Sequence, residues 1–382
     1  MNDPKILIQG GYGFRNWGDD LQLCNNVRLL KANGFKNLTV TTSNDYIREL
    51  TQTAIGHSFH HITSVFQKNQ PELQRFIFSV EDAIRKNNVT NKKVKQLVDQ
   101  IKHHDILFFS GSGCLNSRHW LGLANFALPL RIAKMFNKTV VLSGQGFGPF
   151  GNPEMDKYIA DTLNLVDVIY TRDFDPGFNA LLNLGVSESK IIKGIDDAFT
   201  SIGIESEQIR KLPNNTVVLN VSCFIQRQRK LKEIFYNVAQ DLVKLGYYPV
   251  FNYFQNDRIR AEECAQGEFP IIALETPEEV PALFAKAVGT IGMRYHSTIL
   301  SIANMTPVIN IYLDNYQKMK IDAIEKETGL IGLGISGNQN NEDAIINQFR
   351  KVIDEQPKQI ETTNEKWRPK ANLGVKWIAN IK

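Results

Sequence analysis

Cysteine is scarce in this chain, with four among 382 residues. Cys24, Cys114, Cys223 and Cys264 stand far apart, so no CxxC redox or zinc spacing can be assembled from them. Cys24 and Cys223 fall in stretches that read as buried elements, where a free thiol acts as a small hydrophobe. Free thiols suit a reducing compartment. Long apolar runs are missing too: none approaches the ~20 residues that cross a bilayer. The start, Met1-Asn-Asp-Pro-Lys5, carries no charged segment followed by an apolar core, so no signal peptide is expected. These features make the cytoplasm the expected compartment, with the inner membrane face as a place of peripheral contact. No histidine spacing resembles HExxH, and no metal is expected. A large excess of one charge is also absent. The net charge of +4 is too small for a nucleic-acid binder, though it fits an anionic substrate or a membrane surface.

What is present is an ordinary globular composition, 42% hydrophobic and 22% charged, over a length that suits two domains. Short apolar strands alternate with helical patterns, which is the βαβ signature of parallel sheets. Strands are expected at residues 5–9, 38–42, 106–109, 139–143 and 168–170. Helices are expected at 20–33, 121–136 and 154–165. Residues 57–104 read as a polar, helix-prone decoration of the surface. A polar stretch at 204–215 marks a linker. A second α/β unit then follows, with strands at 217–221, 249–253, 271–274, 289–292 and 307–311. The expected organisation is a Rossmann-like domain over residues 1–203, a second over 216–345, and a helical tail over 346–382 that returns to the first domain. Two such domains with facing strand ends form the cleft of a glycosyltransferase-B-like α/β fold.

The most informative segment is Gly289-Thr-Ile-Gly-Met-Arg-Tyr-His-Ser-Thr-Ile299, where a strand gives way to a helix expected over Thr298–Asn304. Ligands of α/β sheets bind at the carboxyl ends of strands, beside helix N-termini that favour anions. Arg294 adds a fork-shaped charge for carboxylate or phosphate. His296 adds the side chain that titrates near neutrality and is the candidate for proton transfer.

Several other segments follow strands. Gly10-Gly-Tyr-Gly13 is not a dinucleotide fingerprint, because the third glycine position is Asn16. It reads instead as a tight turn, with Asn16 and Asp19 available for hydrogen bonding to a ligand. The competing reading of Asp19 and Asp20 is helix N-capping, which is preferred for Asp20. Gly111-Ser-Gly113 and Gly144-Gln-Gly-Phe-Gly148 let backbone approach a ligand, or serve turn geometry alone. Within them Gly144 and Gln145 are candidate substrate contacts. Arg172 ends a strand inside Thr171-Arg-Asp173, as an anion ligand or as the partner of Asp173 or Asp175. His119 is either a second ionisable group of the site or a surface histidine. Arg227, Arg229 and Lys230 read either as contacts to a diphosphate on the acceptor or, preferably, as a solvated helix start. His57, His60, His61, His103 and His104 read as solvated.

Taken in order, Ile6–Asp20, Asp105–Cys114, Val140–Pro149, Tyr170–Asp173, Gly194-Ile-Asp-Asp-Ala-Phe199 and Gly292–His296 resemble the polysaccharide pyruvyl transferase family over about residues 5 to 315. The family's Asn-x-Gly-Asp motif falls on Asn16, Gly18 and Asp19, and its donor-phosphate arginine on Arg172. The chain departs from the family at Ser112, which interrupts a glycine run, and at Ser117, near a usually acidic position. The resemblance implies phosphoenolpyruvate as co-substrate and no cofactor. It also implies a sugar acceptor, free, nucleotide-linked or lipid-linked, in exopolysaccharide or cell-wall polysaccharide assembly. Arg172 and Arg294 would anchor the donor, and His296 would transfer protons. The alternatives are a nucleotide-sugar glycosyltransferase on the same layout and a non-catalytic glycan-binding relative.

Overall fold

The computed structural model describes residues 3–42, 44–57, 70–118, 120–223, 230–254, 257–330, 332–337 and 342–381. His119, His60, His61, Arg227 and Arg229 lie outside them. The chain divides into two compact units. The first comprises Met1–Gly13, Gln22–Asp197 and Asn372–Lys382. The second comprises Phe14–Leu21 and Ala198–Ala371.

The first unit is a seven-stranded parallel sheet. Its strands are β1 (Ile6–Gly10), β2 (Leu38–Thr42), β3 (Ala54–His57), β4 (Ile106–Leu115), β5 (Thr139–Phe147), β6 (Val168–Thr171) and β7 (Ile191–Lys193), in the order β3-β2-β1-β4-β5-β6-β7. The second unit is a six-stranded sheet of β8 (Thr216–Val221), β9 (Tyr248–Tyr253), β10 (Ile271–Ile272), β11 (Gly289–Gly292), β12 (Val308–Tyr312) and β13 (Gly334–Ser336), ordered β10-β9-β8-β11-β12-β13. All of the pairings are parallel. Each sheet repeats the doubly wound 3-2-1-4-5-6 order, which places a switch point between its first and fourth strands. Central strands such as β8 are buried at every residue, as a parallel sheet covered on both faces requires.

The glycine stretches at 111–113 and 144–147 are not turns after strands, whereas Gly11–Gly13 do follow the end of β1. β4 and β5 run on through Ser110–Gly113 and Gly144–Phe147, and their registers shift between Ser112 and Leu115 and between Leu142 and Gln145. Gly144, at φ +62°, supplies the left-handed residue that such an irregularity accommodates. Of the stretch 57–104, residues 58–69 lie outside those described, and residues 70–103 are likewise not a decoration. Helices Gln70–Arg85 and Lys92–His103 bury Leu73, Ile77, Val80, Ile84, Val94, Leu97, Val98 and Ile101 in the main core of this unit. Glu81 in that core accepts from Arg131, Arg85 and Tyr158, tying three helices together. Burial of the ring, and then the Glu81 charge, push the Tyr158 phenol upward. Cys223 is exposed rather than buried, whereas Cys24 is buried.

The division of the chain also differs from expectation. The boundary falls at Asp197/Ala198, before the polar stretch. The expected tail is split. Helix Glu342–Trp367 packs Ile345, Ile346, Phe349 and Val352 into the core of the second unit. Only the final helix, Leu373–Asn380, belongs to the first unit, where Val375 and Ile378 join the core beside Phe108 and Tyr170. Among the described residues no helix is long and apolar enough to cross a membrane.

Candidate functional site

In the second unit, β11 and β8 are neighbours at the switch point, and β11 leads into helix Tyr295–Ala303. That helix begins three residues earlier than its sequence pattern suggests, so His296 sits in its first turn and Arg294 is its N-cap residue. The turn is held by side chains below it. Asn310 donates to the Arg294 carbonyl at 3.1 Å and to Thr298 Oγ1 at 2.9 Å. Gly292 is needed there, because a Cβ would lie 2.2 Å from Ser297 Oγ. The Arg294 side chain is largely buried and donates to the Asp257 carboxylate. Asp257 went unrecognised in the sequence, where it stands in a polar stretch without periodicity.

The start of helix Trp17–Ala32 belongs to the same unit. Trp17 and Leu21, four residues apart and so on one helical face, are buried with Val218, Val250 and Leu300. This anchor brings Asn16, Gly18 and Asp19 to His296. Asp19 Oδ1 lies 4.0 Å from His296 Nε2, and both side chains are about nine-tenths buried. Asn16 donates to the other carboxylate oxygen of Asp19. Gly18 lies against the imidazole: a Cβ there would be 2.1 Å from both Cγ and Nδ1. Because the helix starts at Trp17, Asp20 is a fully buried first-turn residue and not an N-cap. Arg15, just before the motif, holds φ +53°, an unfavourable conformation for a side-chain-bearing residue.

In the first unit, Arg172 follows β6 and is also buried. It lies beside Asp196, with Nη1 3.7 Å from Oδ2. The guanidinium lies over Gly146, where a Cβ would be 2.6 Å from Nε. Gln22 donates to Asp196 Oδ1 at 2.7 Å. Gln145 is fully buried, and its Oε1 accepts from Ser112 Oγ at 3.2 Å. Its amide oxygen thus bridges two strands. Gly144 packs against Asp197, with a hypothetical Cβ 2.9 Å from Cγ, so close packing demands this glycine. The serine that interrupts the glycine run, Ser112, is part of the sheet interior.

Asp197 belongs to a polar network that the sequence reading missed. Its carboxylate accepts from Asn26 Nδ2 at 2.9 Å and from the Asn372 N–H at 3.0 Å, while Asn25 donates to its carbonyl at 2.7 Å. Burial pushes the Asp197 carboxyl up to about 6 despite these donors and the Ser143 hydroxyl, with Asp196 adding repulsion. The folded protein therefore holds a proton here that the unfolded chain, titrating near 3.8, has released. The stabilisation is complete below about pH 4 and is lost as pH rises through about 6, a change of about 3 kcal/mol at 1.36 kcal/mol per pKa unit. Urea unfolding of wild type and Asp197→Asn across this range checks it. The wild type is expected to lose that increment relative to the variant between pH 4 and pH 7. Parallel stability curves would contradict it. The only sequence signal for the network is the pair Asp196-Asp197 amid apolar residues.

Among the described residues no cluster of three or more His, Cys, Asp or Glu side chains could hold a metal ion. A family model described as polysaccharide pyruvyl transferase matches residues 16–315. No curated protein sequence matches the chain. Similar solved structures include HepE of Anabaena in complex with UDP and glucose (TM-score 0.58, 11% identity, covering 99% of each chain). The UDP-GlcNAc 2-epimerase of Methanocaldococcus jannaschii aligns with TM-score 0.63 and 13% identity over 98% of each chain. That of Neisseria meningitidis, bound to UDP-GlcNAc, gives 0.62 and 13%, again over 98% of each. At such identities the likeness establishes the fold, two Rossmann-like α/β domains of the glycosyltransferase-B type.

Proposed function

Because the chain belongs to the polysaccharide pyruvyl transferase family, we propose that it transfers the enolpyruvyl group of phosphoenolpyruvate onto a sugar diol of a cell-surface polysaccharide or its precursor. The observation that carries this reading is the buried His296 in the first turn of a helix, beside Asp19 and next to Arg294. In the reaction a proton adds to the methylene carbon of phosphoenolpyruvate, and positive character develops at the central carbon. One sugar hydroxyl bonds there and gives up its proton. Phosphate leaves with the electrons of its C–O bond, and the second hydroxyl bonds to the same carbon and gives up its proton, closing a cyclic ketal. His296 is the group suited to deliver or accept these protons, a contribution of about 10²–10⁴ in rate. Arg294, at a helix N-terminus, favours an anion. Arg172 is the second anchor that the donor's carboxylate and phosphate require. The sugar is bound free, nucleotide-linked or lipid-linked, in the cytoplasm or at the inner membrane face.

Arg172 is best tested by lysine, since alanine would leave Asp196 buried beside no arginine. Arg172→Lys keeps the charge and loses the fork geometry. It is expected to raise the KM for phosphoenolpyruvate about tenfold, the loss of roughly one charge-assisted hydrogen bond. An unchanged KM removes Arg172 from donor binding.

The whole reading is tested by thermal-shift titration with phosphoenolpyruvate beside a nucleotide-sugar panel, because a ligand selective for the folded state raises Tm. A shift with phosphoenolpyruvate supports it. A shift with a nucleotide sugar and none with phosphoenolpyruvate favours the second reading, a nucleotide-sugar glycosyltransferase, to which the UDP-bound structural relatives lend support.

A further inference from the structure

We infer that Asp19 is a positioning carboxylate for His296, and that Asn16 and Gly18 complete a cradle fixing the orientation of the ring and the nitrogen that carries its proton. The inference rests on the reading of His296 as the proton-transfer group. It departs from the expectation that Asn16 and Asp19 contact substrate.

Three observations carry it. First, residues 14–21 pack with the second unit, so the whole Asn-x-Gly-Asp segment is assembled on the His296 side of the chain's division. Second, Asp19 is 7% exposed, whereas an acidic residue that served only the helix dipole would gain as much at the solvent surface. Its Oδ1 is turned to His296 Nε2 at 4.0 Å, and Asn16 holds Oδ2. At that separation the coupling is by charge and not by a formed hydrogen bond, which needs about 3 Å. Catalytic contacts often tighten when substrate binds. Third, Gly18 admits the ring against the helix backbone: any larger residue would meet Cγ, Nδ1 and Cε1 within 2.6 Å. A histidine held by glycine on one flank and a carboxylate at Nε2 has its ring plane fixed and its Nε2–H tautomer favoured. The logic is that of an acid orienting a catalytic imidazole, where the carboxylate selects tautomer and position without itself transferring the proton.

The test is imidazole ¹⁵N NMR on the full-length protein, with the His296 signals assigned by their loss in His296→Gln. The wild type is expected to show the Nε2–H tautomer. Asp19→Asn, whose oxygen Asn16 would hold so that its NH2 faces Nε2, should shift the ring toward the Nδ1–H tautomer, and Asp19→Ala should give a mixture of tautomers. Asn16→Ala, which leaves the carboxylate but frees it to rotate, is the second variant should Asp19→Ala fold poorly, and it should broaden or shift the same signals. Ring spectra of Asp19→Ala and Asn16→Ala identical to wild type would overturn the inference. These spectra need no substrate, so they stand or fall apart from the identity of the reaction. With phosphoenolpyruvate and an acceptor in hand, Asp19→Ala should lower kcat about tenfold or more with both KM values unchanged, as for an interaction used only in the transition state. A raised acceptor KM at constant kcat would instead make Asp19 a substrate ligand and overturn the positioning role.

Discussion

Replacing His296 by glutamine is expected to lower kcat by about 10²–10⁴-fold, the usual worth of a positioned general acid or base. Glutamine fills much of the same volume and can still hydrogen-bond, but it cannot exchange a proton near neutral pH. The side chain is buried in the first turn of helix Tyr295–Ala303, which is otherwise held by Asn310, Ser297 and Ser301. Since none of these bonds uses the imidazole, the melting temperature and circular dichroism should stay close to wild type. A variant that folds and turns over at the wild-type rate would exclude His296 from the chemistry.

The second large effect is expected from the smallest substitution. Gly18→Ala adds one methyl to the first turn of helix Trp17–Ala32. On helix propensity alone alanine is favoured over glycine by about 1 kcal/mol. Here, however, the new Cβ would lie 2.1 Å from two atoms of the His296 ring, so the imidazole must move. Displacement of a reacting group by about 1 Å can cost on the order of 10²-fold. The expected result is therefore a kcat reduced about 100-fold in a protein whose Tm changes by only a few degrees. A Gly18→Ala enzyme with full kcat would mean that the ring does not work from the position seen here.

The comparison of sequence with structure explains which features are legible. Strands β2 and β11 carry the bounds their residues suggest, because unbroken β-branched or glycine-flanked apolar runs have one reading in a parallel sheet. β4 and β5 outrun their expected ends because a register irregularity, marked in β5 by the left-handed Gly144, has no periodic signature. Helices Gln70–Arg85 and Lys92–His103 are polar on average, and that average hides apolar stripes at spacings of three and four, Leu73-Ile77-Val80-Ile84 and Val94-Leu97-Val98-Ile101. The tail is half legible for a related reason: Leu373–Asn380 joins the first unit as expected and Glu342–Trp367 does not, because an apolar face shows that a helix packs but not on which sheet.

At the candidate site, Arg294 and His296 were visible because a strand-to-helix junction is a local pattern. Their partners were not. Asp19 and Asp257 meet them only through the fold, one from the start of the chain and one from an aperiodic segment after β9. Arg172 is legible at its strand end, but its neighbour Asp196 is not, because Asp196 is brought there by the pairing of β6 with β7. Gly144 and Gln145 were noticed for their residue types. In the structure both are occupied with the interior, one against Asp197 and one against Ser112.

The most direct measurement is incubation of the wild-type protein and His296→Gln with phosphoenolpyruvate and a panel of free, nucleotide-linked and lipid-linked sugars, following phosphate release and ketal formation together. The predicted result is phosphate released in step with a pyruvate ketal on one acceptor class, at a rate that His296→Gln reduces at least 100-fold, within the range typical of general acid–base catalysis. Release of a nucleoside diphosphate from a nucleotide sugar, with no consumption of phosphoenolpyruvate, would contradict it.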